Sequence, residues 1–143
     1  MIDLRAIRRY AQALFNLARE RGELETIQKD FLRVRELVQR HREIGNLVSN
    51  STIALAEKED FLEKVVPADL SKLLLNFLKV LIKKKRFIEI LSIQEAFYQL
   101  YEKERGIREV VATSAAGLSE RAEEKLRSIL KQKWNVEIRL VTK

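Results

Sequence analysis

One proline and four glycines are the strongest helix breakers in this chain, and they lie far apart: Pro67, then Gly22, Gly45, Gly106 and Gly117. Between them run stretches dominated by Leu, Ala, Glu, Lys and Arg, residues that lose little by entering a helix. So few interruptions suit long helices and not a sandwich or barrel, whose short strands need frequent turns. With 143 residues, 46% of them hydrophobic, the chain can build one domain and the start of another around a real core. It has no Cys, so neither a disulfide nor a thiolate metal site is available.

Caps and apolar spacing divide the first part into helices. Asp3 is placed to cap a first helix that Gly22 closes, because glycine enters the left-handed conformation of a helix end without strain. A second helix is expected from about Glu23 to Arg40, a short third near Glu43 to Ser49, and a fourth near Leu55 to Val65. Pro67 then breaks the pattern, Asp69 can cap a fifth helix over about Leu70 to Lys84, and a turn at "KKKR" leads to a sixth, Phe87 to Arg105, closed by Gly106.

Two of these helices are apolar around more of their circumference than one packed side requires. In the second helix the stripe Leu24, Ile27, Phe31, Val34, Val38 covers only about 80° of arc, as a helix with one buried face does. In the first, the core-like set Leu4, Ile7, Ala11, Leu14, Phe15, Ala18 adjoins a second set, Ala6, Tyr10, Ala13 and Leu17, for an arc of roughly 200°. The fifth repeats the excess, with Leu70, Leu73, Leu74, Leu75, Phe77, Leu78, Val80, Leu81 and Ile82 covering roughly 220°. Small Ala6 and Ala13 beside aromatic Tyr10 suit the close approach of another helix. The competing expectation is that the same residues pack inside the bundle.

After Gly106 the pattern changes. "IREVVATSA" is rich in β-branched residues, Ser119 can cap a helix whose core side is Ala122, Leu126, Ile129 and Leu130, and "VEIRLVT" alternates Val136, Ile138 and Leu140 with charged residues. Strand, helix and strand make a thin core, so residues 107–143 are expected to be an incomplete α/β segment behind a bundle spanning 1–106. Trp134 is expected to pack between that helix and its sheet.

The net charge of +7 arises from 28 basic residues interleaved with 21 acidic ones. The clusters "RHR" at 40–42 and "KKKR" at 83–86 are short, and the second, at a helix C-terminus, complements the helix dipole. The longest apolar run, "LLLNFLKVLI", contains Asn76 and Lys79 and falls well short of the roughly 20 residues that span a bilayer, so no membrane insertion is expected. The single His41 sits among charges without a recognisable nucleophile partner, and the sequence contains no Walker motif, glycine-rich phosphate loop or carboxylate-rich metal motif. No catalytic residue, cofactor or metal is expected.

Three segments together resemble one family. "RRYAQALFNLARERG" at the start, "AFYQLYEKERGI" late in the bundle and "VVATSAAGLSE" before the last helix resemble the delta subunit of bacterial F-type ATP synthase, homologous to the mitochondrial oligomycin-sensitivity-conferring protein. The resemblance implies a six-helix N-terminal bundle seated on the catalytic head, then a small α/β domain that holds the peripheral stalk through the C-terminal region of the b subunit. It also implies that the first and fifth helices form a groove for the amphipathic N-terminal helix of an alpha subunit. Tyr10 and Ala13 in "RRYAQALF" and Val80 in "NFLKVLIKK" match groove positions of that family; helical geometry adds Ala6, Leu17, Leu73 and Phe77. Two departures stand out. The family's turn between the fifth and sixth helices usually carries a glycine where this chain has "KKKRF", and its members continue beyond the strand at "VEIRLVT" through a further strand and helix.

The expectation is therefore a non-catalytic stator subunit, peripheral on the cytoplasmic face of a bacterial membrane. A small basic RNA-binding factor of the antitermination type, the alternative, accounts for the charge but leaves the second apolar faces and the strand-helix-strand tail without a role.

Overall fold

The computed structural model describes residues 3–116, 124–125 and 128. The described residues are helical: α1 Leu4–Glu20, α2 Leu24–Arg40, α3 Arg42–Val48, α4 Leu55–Val65, α5 Lys72–Lys83, a 3-10 turn Phe87–Glu89, and α6 Ile90–Ala116. The mainly α expectation holds, and the bounds of α2, α3 and α4 agree with those read from spacing to within a residue or so. The chain divides into two compact units, 1–98 and 99–143, with the division inside α6.

In the first unit α2 is the hub, packed against α1, α3 and α5, while α4 and α5 form another close pair. Its one-sided stripe is used as expected: Leu24, Ile27, Phe31 and Val34 are buried, and Val38 is half-buried. Phe31 and Phe97 are fully enclosed with ring centroids 5.8 Å apart, and Leu14, Leu62, Leu74, Leu78, Leu81 and Ile93 are fully buried as well. Each such side chain contributes about 1.5–3 kcal/mol by leaving water, so this core outweighs any single surface feature.

The ends of α1 follow the sequence reading. The Asp3 carboxylate accepts the Ala6 N–H at 3.2 Å. At the other end Gly22, at φ 67°, donates to the Arg19 carbonyl at 3.1 Å, and Glu23 donates to that of Ala18 at 2.8 Å. That pair of bonds is the Schellman closure, which requires a left-handed residue where Gly22 stands.

Two expectations fail, for different physical reasons. Asp69 does not cap α5. The helix starts two residues later, with Ser71 at the cap position, and the acceptor for the Ser71 N–H is Asp30 Oδ2 of α2 at 2.8 Å. Asp69 is drawn away by Arg33, 2.9 Å distant.

Nor does Gly106 end the sixth helix, which continues to Ala116 through the residues expected to form a strand, "IREVVATSA". Gly106 lies within the helix and does not take the left-handed conformation a closing glycine would need. The helix penalty for β-branched residues is only tenths of a kcal/mol each, and burial of Val110 readily exceeds it. Of the later helix, Glu124, Lys125 and Ser128 are described and helical, whereas Ser119, Ala122, Leu126, Ile129, Leu130, Trp134 and the strand 136–142 lie outside the described residues.

Candidate partner-binding face

The N-terminus of α1 lies at the C-terminus of α5. Arg86, just beyond α5, stands 3.4 Å from the Asp3 carboxylate and 3.4 Å from that of Glu89, and the Asp3 backbone N–H donates to Glu89 at 3.1 Å. The Ala6 N–H first, and Arg86 beside it, hold the Asp3 carboxyl below the ordinary aspartate value. Seven residues into α1 and nine before Arg86, the rings of Tyr10 and Phe77 meet edge to face at 6.4 Å. Contacts at both places run the two helices antiparallel. Phe77 also meets Phe31 at 6.1 Å, so the pair of rings on this face is anchored to the central core.

The expected site residues fall into three groups on this face. Ala13, Leu17 and Val80 are exposed, with Leu17 at 42% and Val80 at 43%. Tyr10 and Phe77 are half-buried, each presenting part of its ring to solvent. Leu73 and Ala6 are buried, Leu73 at 8% and Ala6 completely. Ala6 is thus core and not open surface: one turn from the capped end of α1, it is enclosed where that end is tied to Glu89 and Arg86. What remains open is a strip with Ala13 and Leu17 on α1, Val80 on α5, and Tyr10 and Phe77 joining the two helices.

Polar contacts hold the strip's borders. Lys79, next to Val80, hydrogen-bonds Glu63 of α4, which raises the lysine's pKa and pins the outer flank of α5. The start of α5 is held by buried Asp30, which takes the Ser71 N–H and the Arg33 guanidinium at 3.0 Å. Arg33 in turn holds the Asp69 carboxyl below its ordinary value. Sequence reasoning missed Asp30 and Glu89 as positioning groups. The available signal was weak: one acid beside the apolar stripe of α2 and one inside "FIEI".

The open strip presents the methyl and methylene groups of Ala13, Leu17 and Val80 and the rings of Phe77 and Tyr10, the latter with its phenol hydroxyl. Among the described residues no group of His, Asp or Glu is arranged to hold a metal ion, and no helix is long and apolar enough to cross a membrane.

Known proteins resemble this chain along most of its length. The family model for the ATP synthase delta (OSCP) subunit matches residues 6–143. A protein described as ATP synthase subunit delta from Desulfitobacterium hafniense (strain DSM 10664 / DCB-2) is 33% identical over 133 residues, covering 93% of this chain and 74% of that protein. Its counterpart from Carboxydothermus hydrogenoformans is 32% identical over 143 residues, 97% of this chain and 80% of that one. The Symbiobacterium thermophilum protein of the same description is 30% identical over 142 residues, 99% of this chain and 76% of its own length.

Proposed function

The chain belongs to the ATP synthase delta (OSCP) family, and we propose that it acts there as a non-catalytic stator joint, taking the N-terminal helix of an alpha subunit into the strip between α1 and α5. The observation that carries this reading is the open strip itself. Exposed Ala13, Leu17 and Val80 flank two half-buried rings on antiparallel helices, which is the floor and walls of a helix-in-groove site. Small Ala13 lets a docked backbone come close, while Leu17, Val80 and the ring edges supply area.

The mechanical requirement explains the chemistry. A catalytic head must not turn with the rotor that drives it, so the joint needs slow dissociation and not a reaction centre. Burial of apolar side chains in a preformed, core-anchored groove gives that, because little ordering entropy is lost on binding. ATP synthesis and proton movement are then the work of other chains in the complex. On the same reading residues 107–143 belong to the segment that meets the C-terminal region of the b subunit, and the protein is peripheral on the cytoplasmic membrane face. Family membership leaves the RNA-binding alternative without support.

Amide chemical shifts of the labelled protein, titrated with a peptide copying an alpha-subunit N-terminus, test the reading. The amides of Tyr10–Leu17 and Leu73–Val80 should move together, while those around Val34, buried on α2, move far less. Shifts confined to other helices, or none at millimolar peptide, would reject it.

A further inference from the structure

The charge along the groove is not symmetric. Leu73, Phe77 and Val80 follow one another at helical spacing along α5, and the next residue in the series is Lys84, the helix C-cap, so the apolar stripe ends in a lysine. Lys83 and Lys85 flank Lys84, all three are exposed, and among the described residues none of them has an ion-pair partner. Arg86 is different: Asp3 and Glu89 already engage it. On the facing helix this end carries Arg5 and Arg9, exposed and ahead of Ala13. The opposite end is balanced. There Leu17 is followed by Glu20 and Arg21, and Leu73 is preceded by Lys72 and by Asp69, which Arg33 holds.

Because α1 and α5 are antiparallel, their dipoles cancel along the groove and leave the side chains to set its polarity. We propose that the groove takes its occupant in one direction, with an acidic end of an amphipathic peptide helix held over Lys83, Lys84 and Lys85. This rests on the helix-in-groove reading and adds to it the partner's charge pattern and orientation. A helix is favoured over a nucleic acid because Lys84 stands one turn beyond exposed Val80, and a phosphate backbone has no use for an apolar stripe; vesicle binding distinguishes an anionic membrane, whose acyl chains could also cover apolar residues. Solvent-exposed charges of this sort steer and orient more than they bind, so the effect is read best at low salt.

Two synthetic helices of about 18 residues with blocked ends test the proposal on the full chain. Both share one apolar stripe; one carries a Glu pair in its first turn and the other in its last, with a nitroxide beside the pair. In both cases the nitroxide should broaden the amide signals of Lys83–Arg86 and spare those of Leu17–Gly22, so that the two peptides lie in opposite directions. K83E/K84E should weaken both by about tenfold at low salt and by less than about twofold near 0.5 M salt. Broadening that follows the peptide's chain direction, or that is equal at both ends, overturns the orientation while leaving the groove. Peptides that bind nowhere on α1 and α5 reject the groove and the orientation together. Phosphatidylglycerol vesicles or single-stranded RNA that bind the parent but not K83E/K84E, with peptide affinity unchanged, assign the lysines to phosphate and overturn the proposal.

Discussion

Lys85→Gly should make the protein more stable, although it removes a side chain and touches no core. The closures of α1 and α5 are the same structure built from different residues. After α1, Gly22 stands at φ 67°; after α5, Lys85 stands at φ 61°, donating to the Ile82 carbonyl at 3.0 Å while Arg86 donates to that of Leu81 at 2.7 Å. For an L residue the left-handed conformation costs about 1–2 kcal/mol, and glycine returns roughly 0.5–1 kcal/mol of this through its freer unfolded chain. The net gain is about 0.5–1 kcal/mol, which for a protein of this size raises Tm by about 1–4 °C. Lys85→Gln is the control, since it loses the same charge and keeps the strain. Gly22→Ala is the converse: no atom lies within 4 Å of where its Cβ would sit, so its loss of about 1 kcal/mol is backbone alone. Thermal melts and urea midpoints at unchanged m measure all three. If Lys85→Gly is no more stable than Lys85→Gln, the left-handed turn at this position is not strained.

Other consequences follow from the polar borders and the rings. Asp30→Ala leaves the Ser71 N–H and the Arg33 guanidinium without their acceptor and should cost about 1–3 kcal/mol in urea unfolding, whereas Asp30→Asn keeps an acceptor and should cost less. Phe77→Ala removes a half-buried ring that joins Tyr10 to Phe31 and should cost about 2–4 kcal/mol, most of it restored by Phe77→Leu. The carboxyls of Asp3 and Asp69 are held below 3.8, so their stabilising effect is complete above that pH and is lost as pH falls through their lower folded values. An acid melting curve should therefore bend downward below about pH 4, and the Asp3→Asn, Asp69→Asn protein should bend less. Lys79 is raised above 10.5, so its contribution is complete below that pH and fades above it.

Local chemistry makes much of this fold legible in the sequence. The bounds of α2 and α4, the Asp3 cap and the Gly22 closure depend on residues within a turn or two of one another, so spacing and residue type are enough to place them. Where sequence and structure differ, the deciding contact is tertiary. Asp69 looks like a cap from the chain alone, but Arg33, 36 residues away, competes for it, and Asp30 supplies the cap from another helix. Gly106 looks like a stop, yet burial of Val110 carries α6 through it. Excess apolar arc identifies the helices that carry the open strip. It does not separate Ala6, enclosed beneath the tied end of α1, from Ala13 two turns later, because both lie at nearly the same angle and only the neighbouring turn distinguishes them.

The groove itself is tested most directly by placing a charge on its floor and measuring binding and folding together. Ala13→Asp and Val80→Asp add a carboxylate that stays hydrated in the free protein, because both positions are exposed; stability should change by less than about 1 kcal/mol. A docked apolar helix would strip that water without supplying a partner, at about 1–3 kcal/mol, so an alpha-subunit N-terminal peptide should bind about 5- to 150-fold more weakly to each. Val34→Asp, fully buried on α2, should unfold the bundle and marks what a core position does in the same melt. Folded Ala13→Asp and Val80→Asp proteins that bind the peptide as tightly as the parent would contradict the groove, and an Ala13→Asp protein that unfolds like Val34→Asp would return that face to the core.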